Sequence, residues 1–429
     1  MRCLIISHGH AELSSGGGER AAFALFDHLR RTPGFQPLLA ARAEPEQIGH
    51  GAPFRTMLGR PDELLVSPPP VDPYTLLSRD PRRLGQILDE IIRLHEPKVA
   101  HVQHFAFWGI DILHELRKRG IRVILTLHEF LLMCHRDGQM LTTKGKLCSN
   151  AAPIACASCF PGLSAGEFFV RKQILLRHLS AVDCIISPSA FLAQRFVDWG
   201  LDARKIHVVE NPLAESQLAE ALATPLPGDD ADTFHDDRLR LGYFGQVTPY
   251  KGLTVLLKAI EALDKADRER IGLSVHGVMT PGLPAEIRSE IEQSLRRLRG
   301  IVEWRGAYEG HETLGLMRDV DWVVVPSIWW ENSPLVLQEA RLAARPVLVS
   351  DIGGMREKAA QIPGSLTFRP GSAQDLARIL KAQLGHAGAR RLSAAAVAER
   401  RDGAVKAHRD ALGELIGLVD RSRHAPAGR

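Results

Sequence analysis

Apolar runs of strand length alternate with helix-period stripes along most of this 429-residue chain. Trp322 leads into Val323, Val324 and Val325, a continuous β-branched run that suits a strand covered on both faces of a parallel sheet. Residues 4–7, 37–41, 99–101, 122–127, 184–187, 239–244, 273–275 and 347–350 read as further strands. Between them lie helical stripes. Ala22, Leu25, Phe26 and Leu29 predict a helix from about Glu19, and Leu84, Ile87, Ile91 and Leu94 predict an inward face on another. Residues 166–179, 191–199, a segment from Leu253 and a long stretch over 392–418 complete the helical set. Strands alternating with helices predict an α/β protein built on parallel, doubly wound sheets.

The run at 322–325 stops at Pro326 and Ser327, and Ile328, Trp329 and Trp330 form a loop. Asn332 or Ser333 is a good N-cap and Pro334 fits a first helical turn, so a helix is predicted to begin near Ser333. Leu335, Val336, Leu337, Ala340 and Leu342 are dense enough for that helix to be packed on most sides. Its first-turn amides suit an anion such as a diphosphate. Glu331 sits beside them. Glu339 follows eight positions later, roughly 12 Å at helical rise, which is close to the span between the two sugar rings of a nucleotide sugar. Two glutamates eight apart also arise by chance, so this spacing needs its context.

Strand 239–244 ends at Gly245 and Gln246 and is followed by Lys251, Gly252 and a helix start. A lysine there is placed to meet phosphate as a point charge, the alternative being a solvated surface lysine. Gly16, Gly17 and Gly18 after the first strand let backbone amides approach a phosphate or sugar, or are a plain flexible turn. His276-Gly277 marks a place where a base could lie against backbone. His101, His104 and His128 fall at or near strand ends, where open α/β sheets hold ligands, although each could be an ordinary loop histidine. Gly353-Gly354 reads most simply as a tight turn.

Taken in order, Pro326-Ser327, Glu331, Ser333-Pro334, Glu339-Ala340, Pro346-Val-Leu-Val and Gly353-Gly354 resemble the carboxyl-terminal signature of family 4 glycosyltransferases. The loop from Gly245 to Lys251-Gly252 is similar to that family's Gly-Arg-x-x-x-x-Lys-Gly, with Gln246 where Arg is common. Thr126-Leu127-His128-Glu129 resembles its Thr-x-His-Asp segment, with Glu129 in place of Asp. The resemblance implies the GT-B fold, two Rossmann-like doubly wound domains facing a central cleft. It implies domain 1–212 on the acceptor side, a nucleotide-sugar domain at 238–390 and a helix at 391–421 crossing back to the first domain; the Ala-rich, acidic stretch 213–237 reads as an exposed interdomain linker and 422–429 as a frayed tail. Donor contacts are expected from Gly17, Gly18, Gly245, Gln246, Lys251, Gly277, Glu331, Asn332, Ser333, Pro334, Leu335 and Glu339. His128, Lys251 and Glu331 are the expected catalytic residues, with the base held near Gly277 and at Gly306-Ala307-Tyr308.

The implied activity is retaining transfer of a hexose from a nucleotide-diphosphate sugar to a glycan, lipid-linked or small-molecule acceptor, with no catalytic metal. Two other readings stay open: an epimerase or sugar phosphorylase on the same fold, and a non-catalytic scaffold that binds sugar nucleotides.

Composition adds limits. A formal net charge of +4 is too mild to argue for nucleic acid, although it permits loose attraction to an anionic membrane surface. The amino terminus has only a short apolar run and no stretch reaches 18 apolar residues, so a cytoplasmic protein is expected, with peripheral contact at the inner membrane face left open. Six cysteines are then expected as reduced thiols. Cys134, Cys148 and the close pair Cys156 and Cys159 could hold a structural zinc stapling an insertion at 132–162, the alternatives being an iron-sulfur cluster or thiols packed in a loop. Five prolines between 61 and 73 predict a surface loop.

Overall fold

The computed structural model describes residues 1–14, 16–49, 52–223, 238–385 and 394–421. It contains two sheets. The first comprises β1 (Arg2–Ser7), β2 (Gln36–Arg42), β3 (Phe54–Met57), β4 (Arg60–Val66), β5 (Val99–Val102), β6 (Arg122–Thr126), β7 (Cys184–Ser187) and β8 (Ile206–Val208). Their spatial order is β3-β4-β2-β1-β5-β6-β7-β8, parallel throughout except for the antiparallel pair β3 and β4. The second comprises β9 (Leu239–Phe244), β10 (Ile271–His276), β11 (Val302–Gly306), β12 (Trp322–Val325), β13 (Val347–Ser350) and β14 (Leu366–Phe368), in the all-parallel order β11-β10-β9-β12-β13-β14. With helices joining parallel strands, each sheet is doubly wound and Rossmann-like.

Each order reverses at one point. In the first sheet the chain leaves β1 toward β2 on one side and returns at β5 on the other; in the second it does so between β9 and β12. Loops leaving the carboxyl ends of such strand pairs splay apart and open a crevice for ligands. His8 and Gln103 therefore sit at one switch point, and Lys251 and Glu331 come from the two loops that flank the other.

Two compact units carry the sheets, one made of residues 1–215 with the chain from His408 onward, the other of residues 216–407. In the first core, Cys3, Ile5, Leu25, Phe26, Leu39 and Ile124 pack with Leu415, Leu418 and Val419 of the helix Ala394–Arg421. In the second, β9, β10, β12 and β13 give Leu241, Val275, Val324 and Leu348 to a core closed by Leu256, Ile260 and Leu380 from helices.

Several local expectations need correction. The proline-rich stretch contains β4: Pro61 stands before the first residue paired to β2, Glu63, so its missing N–H costs no ladder bond, and the other four prolines follow the strand. Leu94 is 61% exposed, because Leu84, Ile87, Leu88 and Ile91 already complete the buried stripe of the helix Pro81–His95. The glycine-rich helix starts at Gly17, capped by Gly16, rather than at Glu19. Residues 213–237 are not linker throughout, since Glu215–Ala223 is a helix that buries Gln217, Leu218 and Ala221. Residues 224–237 and the tail at 422–429 lie outside the described residues. The long helix is described over Ala394–Arg421 and so runs past the expected end at 418, while residues 392 and 393 lie outside the described residues.

Candidate active site

In the second unit, β12 delivers the chain to Pro326 and the next residues turn back on themselves. Glu331 is buried, and its Oε1 accepts hydrogen bonds from Lys251 Nζ at 2.6 Å, Ser327 Oγ at 2.8 Å and Trp329 Nε1 at 3.0 Å. Burial pushes this carboxyl up, but the Lys251 charge and the three donors more than offset it and hold Glu331 below the usual carboxylate value. Lys251, with its side chain 31% exposed, keeps contact with water while anchored at one end. Its neighbour Gly252 has φ +70° and lies where a Cβ would fall 1.9 Å from the Pro326 carbonyl oxygen. Only glycine lets the Lys251 loop press this close to the Glu331 loop.

The helix after Glu331 differs from its predicted start. It spans Leu335–Leu342 with Pro334 as N-cap, extended at ψ 127°, and neither Asn332 nor Ser333 caps it by a side chain. Because 331–334 is not helical, the rise of an α-helix does not set the separation of Glu331 from Glu339. Asn332 and Ser333 are buried, Pro334 and Leu335 half-buried, and Ser333 Oγ is buried with no partner among the described residues. Gly353 and Gly354 are not a bare turn. They open the helix Gly353–Ala359, and Gly354 donates its N–H to the Glu331 carbonyl at 3.0 Å.

Glu339 is 2% exposed and accepts from Gln217 Nε2 at 3.0 Å. Gly245 and Gly277 meet at the ends of β9 and β10, where Gly245 donates to the His276 carbonyl. His276 stacks on Phe244 with ring centroids 4.7 Å apart, and Tyr308 stands edge-on to both. Gln246 is exposed. Tyr250 stacks on Trp329 at 5.2 Å.

In the first unit, Gly18 and His128 are brought together: a Cβ on Gly18 would lie 3.1 Å from His8 Cε1 and 4.0 Å from His128 Cγ. A relay fixes the protons. Gln103 Oε1 can only accept, so His128 Nε2, 3.0 Å away, donates and carries the hydrogen. The Gln103 amide nitrogen and the Thr126 hydroxyl both point donors at His101 Nε2, at 3.1 and 2.7 Å. His101 is thus neutral, and burial brings it down to about 3. His128 is also pushed well below the ordinary histidine value, by burial first and then by repulsion from His104, His8 and His101. His104 stacks parallel to His128 at 6.3 Å and faces Glu129 Oε1 at 3.3 Å, and Glu129 also accepts the Leu131 N–H. The extra methylene of Glu129 is therefore used to reach His104. His104, Thr126, His128 and Glu129 line one small recess. Near it, Glu19 at the start of the helix Gly17–Arg31 is held down to about 2: burial opposes ionisation, but His8 and Ser14 overcome it.

A cavity of about 380 Å³, lined by Arg341, Arg345, Gln361, Pro363 and Arg400 among others, contains none of these residues. The described residues also gather His10, Glu12 and Glu63 within 4.8 Å, but Arg60 pairs with both acids there and supplies the positive charge itself.

A family profile described as Glycosyltransferase Family 4 matches residues 15–216, and a second, Glycosyl transferases group 1, matches 238–385. The chain belongs to the family 4-like glycosyltransferases. Solved structures agree on a GT-B fold for this glycosyltransferase. HepE from Anabaena in complex with UDP aligns over 98% of this chain and 100% of its own, at TM-score 0.67 and 15% identity. Sucrose-phosphate synthase from Thermosynechococcus elongatus aligns over 98% of each chain, at 0.67 and 17%. An Escherichia coli structure titled as trehalose-6-phosphate bound with UDP-2-fluoro glucose aligns over 99% of each, at 0.66 and 15%. At these identities the likeness carries the fold alone. No curated protein matches the sequence significantly. No helix among the described residues is long and apolar enough to cross a membrane.

The sequence reading of this glycosyltransferase missed Ser327, Trp329, Gln217 and Gln103. Ser327 and Trp329 precede Glu331 by four and two positions within one loop, a local signal that donors were available to a buried acid. The histidine cluster gives a pH dependence. His101, His128 and His178, the last brought down to about 4 by burial and neighbouring charge, refuse protons that an unfolded chain takes up below about pH 6.5. Stability is therefore expected to be full above that pH and to fall as pH drops from 6.5 toward 4. Urea melts at pH 7.5 and 5.0 check this, and an unchanged midpoint would contradict it.

Proposed function

We propose that this glycosyltransferase moves a hexose from a nucleotide-diphosphate sugar with retention of configuration, its second unit holding the donor. The observation that carries the reading is the 2.6 Å contact of Lys251 with Glu331 across the switch point between β9 and β12. In this proposal Lys251 exchanges part of its contact with Glu331 for the departing diphosphate, stabilising its charge where a metal-dependent enzyme would use a cation. Glu331, kept ionised by its donors, accepts from hexose hydroxyls. Glu339, steadied by Gln217, meets the ribose, and Ser333 Oγ and the backbone of 332–335 face the phosphates.

The Phe244, His276 and Tyr308 rings, with the Gly245 and Gly277 backbone, form the base site. In the first unit we assign Gly17, Gly18 and His128 to sugar and acceptor groups. Gln246 gives no charge where the family commonly has arginine, so Lys251 bears more of the phosphate binding. HepE is known with UDP and with UDP-glucose, which makes uridine donors the first to test. Acceptors are glycan, lipid-linked or small-molecule hydroxyls.

The test is a thermal-shift screen against uridine, guanosine and adenosine diphosphates and their sugars. One series is expected to raise the melting temperature, by the equivalent of about 2.7 kcal/mol at a hundredfold excess over Kd. The same donor should then be consumed with release of its nucleoside diphosphate. No shift with any donor and no turnover would overturn the proposal, and turnover of a sugar 1-phosphate with inorganic phosphate would favour a phosphorylase instead.

A further inference from the structure

We propose that Cys134, Cys148, Cys156 and Cys159 bind one structural zinc ion that organises the segment between β6 and β7. Between Leu141 and Phe168 no side chain is buried. The helix Pro153–Cys159 has no buried residue and no side-chain cap, although a seven-residue helix is not stable in water by itself. Hairpin and turn bonds, such as Cys148 N–H to the Met140 carbonyl and Thr142 N–H to the Lys146 carbonyl, shape the loop locally, and at its end Phe160 touches His135 and Phe168, but the loop adds no buried side chain of its own to a core. Segments that cannot build a core are held by covalent or metal staples.

Only the cysteines offer one. Cys156 and Cys159 stand one turn apart on the same side of their helix. Cys134, Cys148 and Cys159 all lie within electrostatic reach of Cys156, and no disulfide joins any of the six cysteines.

Arg171 is 3% exposed on the helix Ala165–Leu179. Its guanidinium donates to the carbonyls of Tyr74, Leu131 and Leu132, with no carboxylate among its hydrogen-bond partners. The groups whose negative charge would act on it are Tyr74, Cys134, Cys156 and Glu129. Four thiols releasing their protons to solvent around Zn²⁺ leave a net charge of −2, which compensates this buried cation. No three of the sulfurs lie within 4.8 Å of one another, whereas a tetrahedral site sets them about 3.8 Å apart. Loading therefore draws the turn at Cys148 and the helix Pro153–Cys159 together, without disturbing any buried side chain of that stretch.

The experiment is elemental analysis of the full chain purified without chelator, which needs neither donor nor acceptor and so stands apart from the transferase reading. About one zinc per chain is expected. Cys156→Ser and Cys159→Ser should each bring zinc below about a tenth of that, while Cys184→Ala, in the core of β7, should retain it. Tryptic cutting after Lys144 and Lys146 should quicken about tenfold when a strong chelator strips the wild-type chain. Wild-type protein with no zinc, with iron in its place, with zinc indifferent to the cysteine substitutions, or with the four thiols oxidised to disulfides would overturn the proposal.

Discussion

Lys251→Ala is expected to lower kcat/KM for sugar transfer by about 100- to 1,000-fold, the scale on which one preorganised donor facing a leaving group acts. The loss has two sources. The departing diphosphate loses the only lysine of the Gly245-to-Gly252 loop. Glu331 in turn loses the charge that opposes its burial, so its carboxyl rises and the carboxylate that accepts from the hexose hydroxyls is less well stabilised. Lys251→Arg keeps a charge but not the same reach, and is expected to fall between the two. Lys258→Ala, on the adjoining helix with its side chain 57% exposed, should leave transfer unchanged. Steady-state kinetics on a labelled donor decides the matter, and a near-wild-type rate for Lys251→Ala would remove the lysine from the site.

Gly354→Ala should cost much of the stability of the second unit. A Cβ at that position would stand 1.8 Å from the Asn332 carbonyl oxygen and 2.9 Å from that of Glu331. Both obstacles are backbone, so no side chain can turn aside. The helix Gly353–Ala359 would have to back away from the Glu331 loop, costing about 3 kcal/mol or more. That corresponds to a melting temperature lower by about 6–12 °C, with donor binding lost alongside because the same carbonyls shape the loop. Gly413→Ala is the contrast: nothing lies within 4 Å of its Cβ position on an exposed helical face, so it should raise stability by about 0.5–1 kcal/mol. Thermal melts of the two variants check both, and equal melting temperatures would contradict the steric argument.

Strands β9, β12 and β13 were legible to the residue, because strands buried on both faces are short and mostly apolar, with Arg240 the one charged residue among them. The helix after Glu331 was not, since Ser333 and Pro334 fit two different starts and the choice was made by the extended ψ of Pro334. The prolines and aspartates that follow at 225–232 marked the whole stretch as linker and hid the helix Glu215–Ala223, and with it Gln217, whose amide meets an acid 122 positions later. Long-range pairings of that kind leave no local trace. Lys251 and Glu331 were each recognisable from their own loops, whereas their contact followed only from the order of the strands between them. In the first unit His128 was singled out, but its proton is fixed by Gln103, which no periodicity or motif distinguishes. Glu129 was visible as a departure from aspartate, and its use, reaching His104, became clear only with both rings in place.

In the proposed function Lys251 and Glu331 share the donor's charged and hydroxylated groups. Calorimetric titration of the best-binding nucleoside diphosphate into the wild type and Lys251→Ala tests it most directly. Saturable binding to the wild type is expected, with at least about tenfold weaker binding to the variant, equivalent to about 1.4 kcal/mol. Equal affinities for the two proteins, with both folded by circular dichroism, would contradict it.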